Sequence, residues 1–139
     1  MLVDDEDLFH LVFEDACSLL DISLSLKSMN SADDAEKLFK KWFQENSQDK
    51  PECVFVDLNI IGSSFDGIEL IRKINFEYGN HVVIGIISSS NEPEEQAKAV
   101  QAGAQFWIIK SDEIEPRLEE FKKDYEGYKN KTHAFKVYR

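Results

Sequence analysis

Asp57 closes the apolar run Cys53-Val54-Phe55-Val56, and the acidic pair Asp4-Asp5 closes another, Met1-Leu2-Val3. A third run, Phe106-Trp107-Ile108-Ile109, ends in Lys110. If these runs are neighbouring parallel strands, three carboxylates and an ammonium converge at one edge of a sheet. Carboxylate oxygens suit a hard divalent cation. A carboxylate with its charge offset can also attack a phosphoryl group in line and hold it. Each residue alone has a plainer use: Asp4 and Asp5 as helix caps, Asp57 as a turn residue, Lys110 as a solvated strand end. Four complementary groups at the proper strand ends are much harder to obtain by accident.

The elements that must position these groups alternate along the chain. The run Met1–Val3 is followed by a helical pattern from Asp7 to Leu20, with Phe9, Val12, Phe13, Ala16 and Leu20 on one face. Ile22–Met29 alternates apolar residues with serines, as an edge strand with one wet side does. Ser31 with Asp34 resembles a capping box opening a helix to Glu45, its Ala35, Leu38, Phe39 and Trp42 directed inward. Cys53–Leu58 is the central strand, and Asn59–Phe65 a loop. Asp66-Gly67-Ile68-Glu69 then starts a third helix ending near Gly79. Val82–Ile87 is apolar throughout, as a strand buried on both faces requires, and it runs into Ser88-Ser89-Ser90. Pro93 opens the fourth helix and Gly103 stops it. Gln105–Ile109 is a fifth strand and Ile114–Tyr128 a last helix with Leu118, Phe121 and Tyr125 inward. The division expected is a domain over residues 1–128 and a polar C-terminal tail over 129–139. Five strands alternating with five helices specify an α/β fold, an open parallel sheet covered on both faces. In such sheets ligands bind outside the carboxyl ends of the strands.

Composition narrows the function. Acidic residues outnumber basic ones 27 to 16, a net charge of −11, which argues against direct nucleic-acid binding because phosphate backbones need a cationic face. The 42% apolar content fits one domain with a sizeable core. No apolar stretch has the length of a membrane span, so a cytoplasmic location without membrane contact is expected. Cys17 and Cys53 form neither a CxxC pair nor a zinc-ligand set; they read as small buried hydrophobes in a reducing compartment. His10, His81 and His133 are scattered without ligand spacing.

From Met1 to Tyr128 the chain resembles the receiver domain of two-component response regulators. The resemblance rests on LVDDE at Leu2–Glu6, VFVDLN at Val54–Asn59, Asp66-Gly67, a hydroxyl residue ending the fourth strand, AGA at Ala102–Ala104 and a lysine ending the fifth strand. Ser88 and Lys110 lie 15 residues before and 7 after Gly103, as in that family. The resemblance implies a flavodoxin-like (βα)5 sandwich with a five-stranded parallel sheet of order 2-1-3-4-5; that order is a standard example drawn from this family. It implies Asp57 as phosphoacceptor, assisted by Lys110 and Ser88. It implies Mg²⁺ held by Asp5, Asp57 and the backbone carbonyl of Asn59, with Asp4 acting through water. Ser88 and Trp107 correspond to switch positions, and Asn59 and Ser90 to positions that tune phosphoryl lifetime. The implied partners are a histidine kinase or histidine phosphotransfer protein, and a downstream protein recognised by the face of the fourth helix, fifth strand and fifth helix. Such a chain catalyses phosphoryl transfer to and from its own aspartate only and is otherwise not an enzyme.

The chain departs from the family pattern in several places. Ser111 stands where the family has a proline, often after a cis bond, and the loop following Asp57 is longer and lacks Met-Pro. Trp107 replaces the commoner tyrosine, and only three residues precede Asp4. These departures leave one alternative: a degenerate, non-phosphorylated receiver acting as a protein-interaction module. An aspartate-nucleophile phosphatase would need an acid two positions after Asp57, where Asn59 cannot protonate a leaving group.

Overall fold

The computed structural model describes residues 1–22, 28–48 and 50–139. Its elements in chain order are β1 (Leu2–Val3), α1 (Asp7–Leu19), β2 (Ser28–Met29), α2 (Ala32–Gln44), β3 (Cys53–Val56), α3 (Gly67–Tyr78), β4 (Val83–Ser88), α4 (Pro93–Ala102), β5 (Phe106–Ile109), α5 (Glu115–Lys129) and β6 (Lys136–Tyr138). The strands form one sheet of order β2-β1-β3-β4-β5-β6, every pair parallel. The first five keep the expected 2-1-3-4-5 arrangement. Much of the proposed Ile22–Met29 strand lies outside the described residues; its end, Ser28–Met29, pairs with β1.

Strand alternation divides the apolar residues between two layers. Val54, Val56, Ile84, Ile86 and Trp107 face α2, α3 and α4, where they meet Phe39, Trp42, Leu70, Ile71, Ile74 and Ala99. Phe55, Val83, Ile87, Phe106 and Ile108 face α1 and α5, packing on Phe13, Leu118 and Phe121. The second layer is aromatic: Phe55 meets Phe13 at 5.0 Å and Phe106 at 5.4 Å between ring centroids, both edge-on, the arrangement ring quadrupoles favour. Cys17 is buried and Cys53 half-buried; burial pushes both thiols up to about 12, so neither is a thiolate at neutral pH.

The caps follow the sequence. Ser31 Oγ accepts from the Asp34 amide at 3.4 Å, and Asp66 Oδ1 from the Glu69 amide at 2.9 Å. Gly103 ends α4 at φ 112°, a left-handed conformation open to glycine at little cost. Among the described residues no helix is long and apolar enough to cross a membrane.

Among the described residues the sheet has six strands where five were expected. The segment read as a polar tail supplies β6, whose Lys136, Val137 and Tyr138 stand in register with Phe106, Trp107 and Ile108. Tyr138 is only 1% exposed; its hydroxyl donates to Asp124 Oδ2 at 2.7 Å and lies 2.7 Å from the Tyr128 hydroxyl. Three residues, Lys136 among them, carry too little periodicity to be recognised as a strand; α5 returns the chain to the β5 edge, where they pair.

Candidate functional site

Backbone ladders continue beyond the strand ends and fix where each polar side chain emerges. The Asp4 amide donates to the Met29 carbonyl at 2.9 Å, the Asp57 amide to Val3 at 2.8 Å, and the Lys110 amide to Ser88 at 2.8 Å. Parallel strands in this order bring residues far apart in sequence to one end of the sheet. One carboxylate oxygen from each of Asp4, Asp5 and Asp57 lies within 4.8 Å of the others. Opposite ligands of an octahedral Mg²⁺ sit about 4.2 Å apart, at roughly 2.1 Å from the ion. The three oxygens therefore fit a hard cation with little adjustment, and the trio can hold a metal ion.

Lys110 is the counterweight. Its ammonium lies 2.8 Å from Asp4 Oδ2, 2.7 Å from Glu6 Oε2 and 3.5 Å from Asp57 Oδ2, with the Phe9 ring centroid 4.4 Å away. The Lys110 side chain is 11% exposed and that of Asp4 0%. Burial works to lower the Lys110 pKa, but hydrogen bonds to Asp4 and Glu6 and the nearby carboxylate charges outweigh it and hold it above its ordinary value. Asp57 goes the other way. Burial, then the Asp4 charge, pushes its carboxyl from 3.8 to about 6, with Lys110 and the Leu58 amide only partly compensating. Three acids crowded around one cation form a site short of positive charge.

The surrounding loops are tied down. Asp4 Oδ1 accepts from the Glu6 amide at 2.8 Å, and the His10 ring donates through Nε2 to the Asp4 carbonyl at 2.6 Å. Asp5 Oδ2 accepts from the Ile61 amide at 3.2 Å. The long loop after β3 is anchored on the start of α2: Ser63 Oγ accepts from the Ala32 amide at 2.9 Å, and Asp33 Oδ2 from the Ser64 amide at 2.8 Å. The Gly67 amide closes that loop on the Leu58 carbonyl at 3.0 Å. Asn59 is exposed on the loop, beyond Asp57.

On the other flank, Ser88 is 4% exposed and its Oγ accepts from the Ser90 amide at 3.2 Å. The Ser90 hydroxyl bonds the Glu95 carboxylate. Trp107 is completely buried, its indole N–H donating to the Ser90 carbonyl at 3.0 Å. The Lys110–Ser111 bond is trans.

The structure thus gathers Asp4, Asp5, Asp57 and Lys110 at one point, with Ser88 at the end of β4, Asn59 on the loop after β3, Ser90 one hydrogen bond beyond Ser88 and Trp107 one beyond Ser90. Sequence reasoning passed over Glu6, Phe9 and His10. Glu6 was within reach, since it stands in the same LVDDE run; Phe9 and His10 were assigned only to a helix face or to no role.

Residues 1–119 match the family model of the response regulator receiver domain. No curated protein sequence matches. Among solved structures the chain is similar to the receiver domain of NtrX from Brucella abortus, at 22% identity and a TM-score of 0.66, covering 93% of this chain and 96% of that one. It is similar to the Mn(2+)-bound form of response regulator Rcp1 at 16% identity and TM-score 0.72, covering 89% and 91%. It is also similar to the phosphorylated cyanobacterial phytochrome response regulator RcpA at 16% identity and TM-score 0.68, covering 96% and 94%.

Proposed function

This chain belongs to the response regulator receiver domain family, matched over residues 1–119, and on that premise we propose that it accepts a phosphoryl group on Asp57 in a two-component or phosphorelay pathway. The observation that carries the reading is the convergence of Asp4, Asp5 and Asp57 within 4.8 Å beside the Lys110 ammonium. With its carboxyl at about 6, Asp57 is ionised at neutral pH and available as a nucleophile. As the donor approaches in line, an Asp57 oxygen forms the new O–P bond. The P–N bond to a phosphohistidine of a kinase or phosphotransfer partner breaks, its electron pair leaving with the imidazole. Lys110 offsets charge on the transferred oxygens as a point cation. The Ser88 hydroxyl still has its proton to donate while accepting from Ser90.

Asp5, Asp57 and the Asn59 carbonyl would hold Mg²⁺, with Asp4 acting through water; bound there, the ion supplies the positive charge that the trio lacks. Rcp1 has a Mn(2+)-bound form and RcpA a phosphorylated one, and both accord with this assignment. Asn59 and Ser90, flanking the site, would tune the lifetime of the phosphoryl group. The readout is a change of protein contacts at the face of α4, β5 and α5, where β6 lines the β5 edge, rather than turnover of an external substrate.

Beryllofluoride, which mimics the phosphoryl group, tests the assignment. With Mg²⁺ the native chain is expected to give one bound ¹⁹F environment, and Lys110→Met is expected to weaken binding by about tenfold or more through loss of one charge-assisted contact. A native chain that binds no beryllofluoride at millimolar concentration would refute the proposal.

A further inference from the structure

The β6 strand covers the free edge of β5 at the position of Trp107. Val137 stands in register with Trp107 and packs on the same apolar layer. Neighbouring strands are about 4.8 Å apart, so an indole turned outward toward that edge meets Val137. With β6 docked, Trp107 is therefore confined to its inward position, 0% exposed and bonded to the Ser90 carbonyl. From there a continuous set of contacts leads to the site: the Ser90 amide on Ser88 Oγ at 3.2 Å, and the Ser88 carbonyl on the Lys110 amide at 2.8 Å.

The covering strand is a short edge element. It has three residues, sits at the sheet edge and pairs on one side only. Local opening free energies are lowest in such elements. Tyr138 anchors it in the core, edge-on to Phe121 at 5.8 Å, while its other ties to α5 are polar: Tyr138 Oη donates to Asp124 Oδ2 at 2.7 Å, and Lys136 Nζ lies 3.0 Å from Asp124 and 2.8 Å from Glu120.

We propose that β6 is a latch on this site: docked, it holds Trp107 inward, fixes the Ser88–Ser90 turn and preorganises the Ser88 hydroxyl for a phosphoryl group. Coupling between two sites is reciprocal. Docking of β6 favours filling at Asp57, and filling at Asp57 favours docking of β6. The coupling rests on the phosphoacceptor reading; the confinement of Trp107 does not.

The test uses the full chain and two variants, Val137→Asp and Tyr138→Ala, each first shown to be folded by circular dichroism. The chain has two tryptophans, so NMR gives two indole N–H signals, and Trp42→Phe assigns them. Exchange of the β6 amides and of the Trp107 indole N–H is expected to quicken together in both variants. Affinity for beryllofluoride with Mg²⁺ is expected to fall by about fivefold or more. In the native chain the same beryllofluoride is expected to slow β6 amide exchange by a matching factor. Protected β6 amides in both variants, a protected Trp107 indole beside exchanging β6 amides, or unchanged beryllofluoride affinity in a variant with undocked β6 would each overturn the latch. A native chain that binds no beryllofluoride, with Trp107 released in the variants, would instead overturn the phosphoacceptor reading and the coupling while leaving the confinement of Trp107 standing.

Discussion

Asp57→Asn is expected to be more stable than the native chain at pH 7 in metal-free buffer, although it removes the proposed reactive group. The Asp57 side chain is 13% exposed, and burial followed by the Asp4 charge lifts its carboxyl from 3.8 to about 6. Below pH 3.8 the folded and unfolded chains both hold this proton, and the group costs nothing. Between 3.8 and about 6 the unfolded chain ionises first, so the cost of folding rises with pH. Above 6 it is complete, at about 3 kcal/mol for a shift of roughly two units. Asparagine is neutral throughout, and Lys110 keeps Asp4 and Glu6 as partners. The variant should therefore gain about 2–3 kcal/mol at pH 7, a rise in melting temperature of roughly 5–10 °C. The gain should shrink from pH 6 downward and vanish near pH 4. Saturating Mg²⁺ should narrow it by stabilising the native chain selectively. Urea melts at pH 7, 5 and 4 measure this directly; an equal or lower stability of the variant at pH 7 would show that the acids are not crowded as described.

The second large effect runs the other way, at Gly67. Helix propensity alone favours Gly67→Ala, by less than the ~1 kcal/mol of a helix interior because Gly67 is the first residue of α3. Sterics overrule it. A Cβ at Gly67 would lie 2.0 Å from the Asp57 carbonyl oxygen and 3.1 Å from Val56 Cγ1. The oxygen cannot give way cheaply, because the Asp57 amide is bonded to Val3 and the Gly67 amide to Leu58. The net loss is expected to be about 3 kcal/mol, the upper part of the range for overpacking. Relief of the clash must shift α3 or the Asp57 peptide, so beryllofluoride affinity should fall along with the urea midpoint. An alanine variant as stable as the native chain would mean that α3 does not press on the residue after β3 as described.

How legible this was in the sequence depends on scale. The apolar runs Cys53–Val56 and Val82–Ile87 announced strands, the second buried on both faces, and charged residues at strand ends then had to lie on one rim of a parallel sheet. That logic placed Asp4, Asp5, Asp57 and Lys110 without coordinates. It could not place groups whose role depends on side-chain reach. Glu6 joins Lys110 because α1 starts at once after β1, and His10 reaches the Asp4 carbonyl from the buried side of that helix. The longer loop after β3 gave no hint that its serines would seat on the start of α2, since the contacts span 31 residues. For β6 the difficulty was different: three residues cannot express a period, and Lys136 within them looks like solvated tail until Glu120 and Asp124 are seen facing it.

The central claim is that Asp57 accepts the phosphoryl group, and the most direct test is intact mass after incubation with acetyl phosphate and Mg²⁺, on the native chain and on Asp57→Asn. The account predicts a single phosphoryl adduct on the native chain, dependent on Mg²⁺ and absent from the variant. No adduct on the folded native chain, or an adduct that survives in Asp57→Asn, would contradict it.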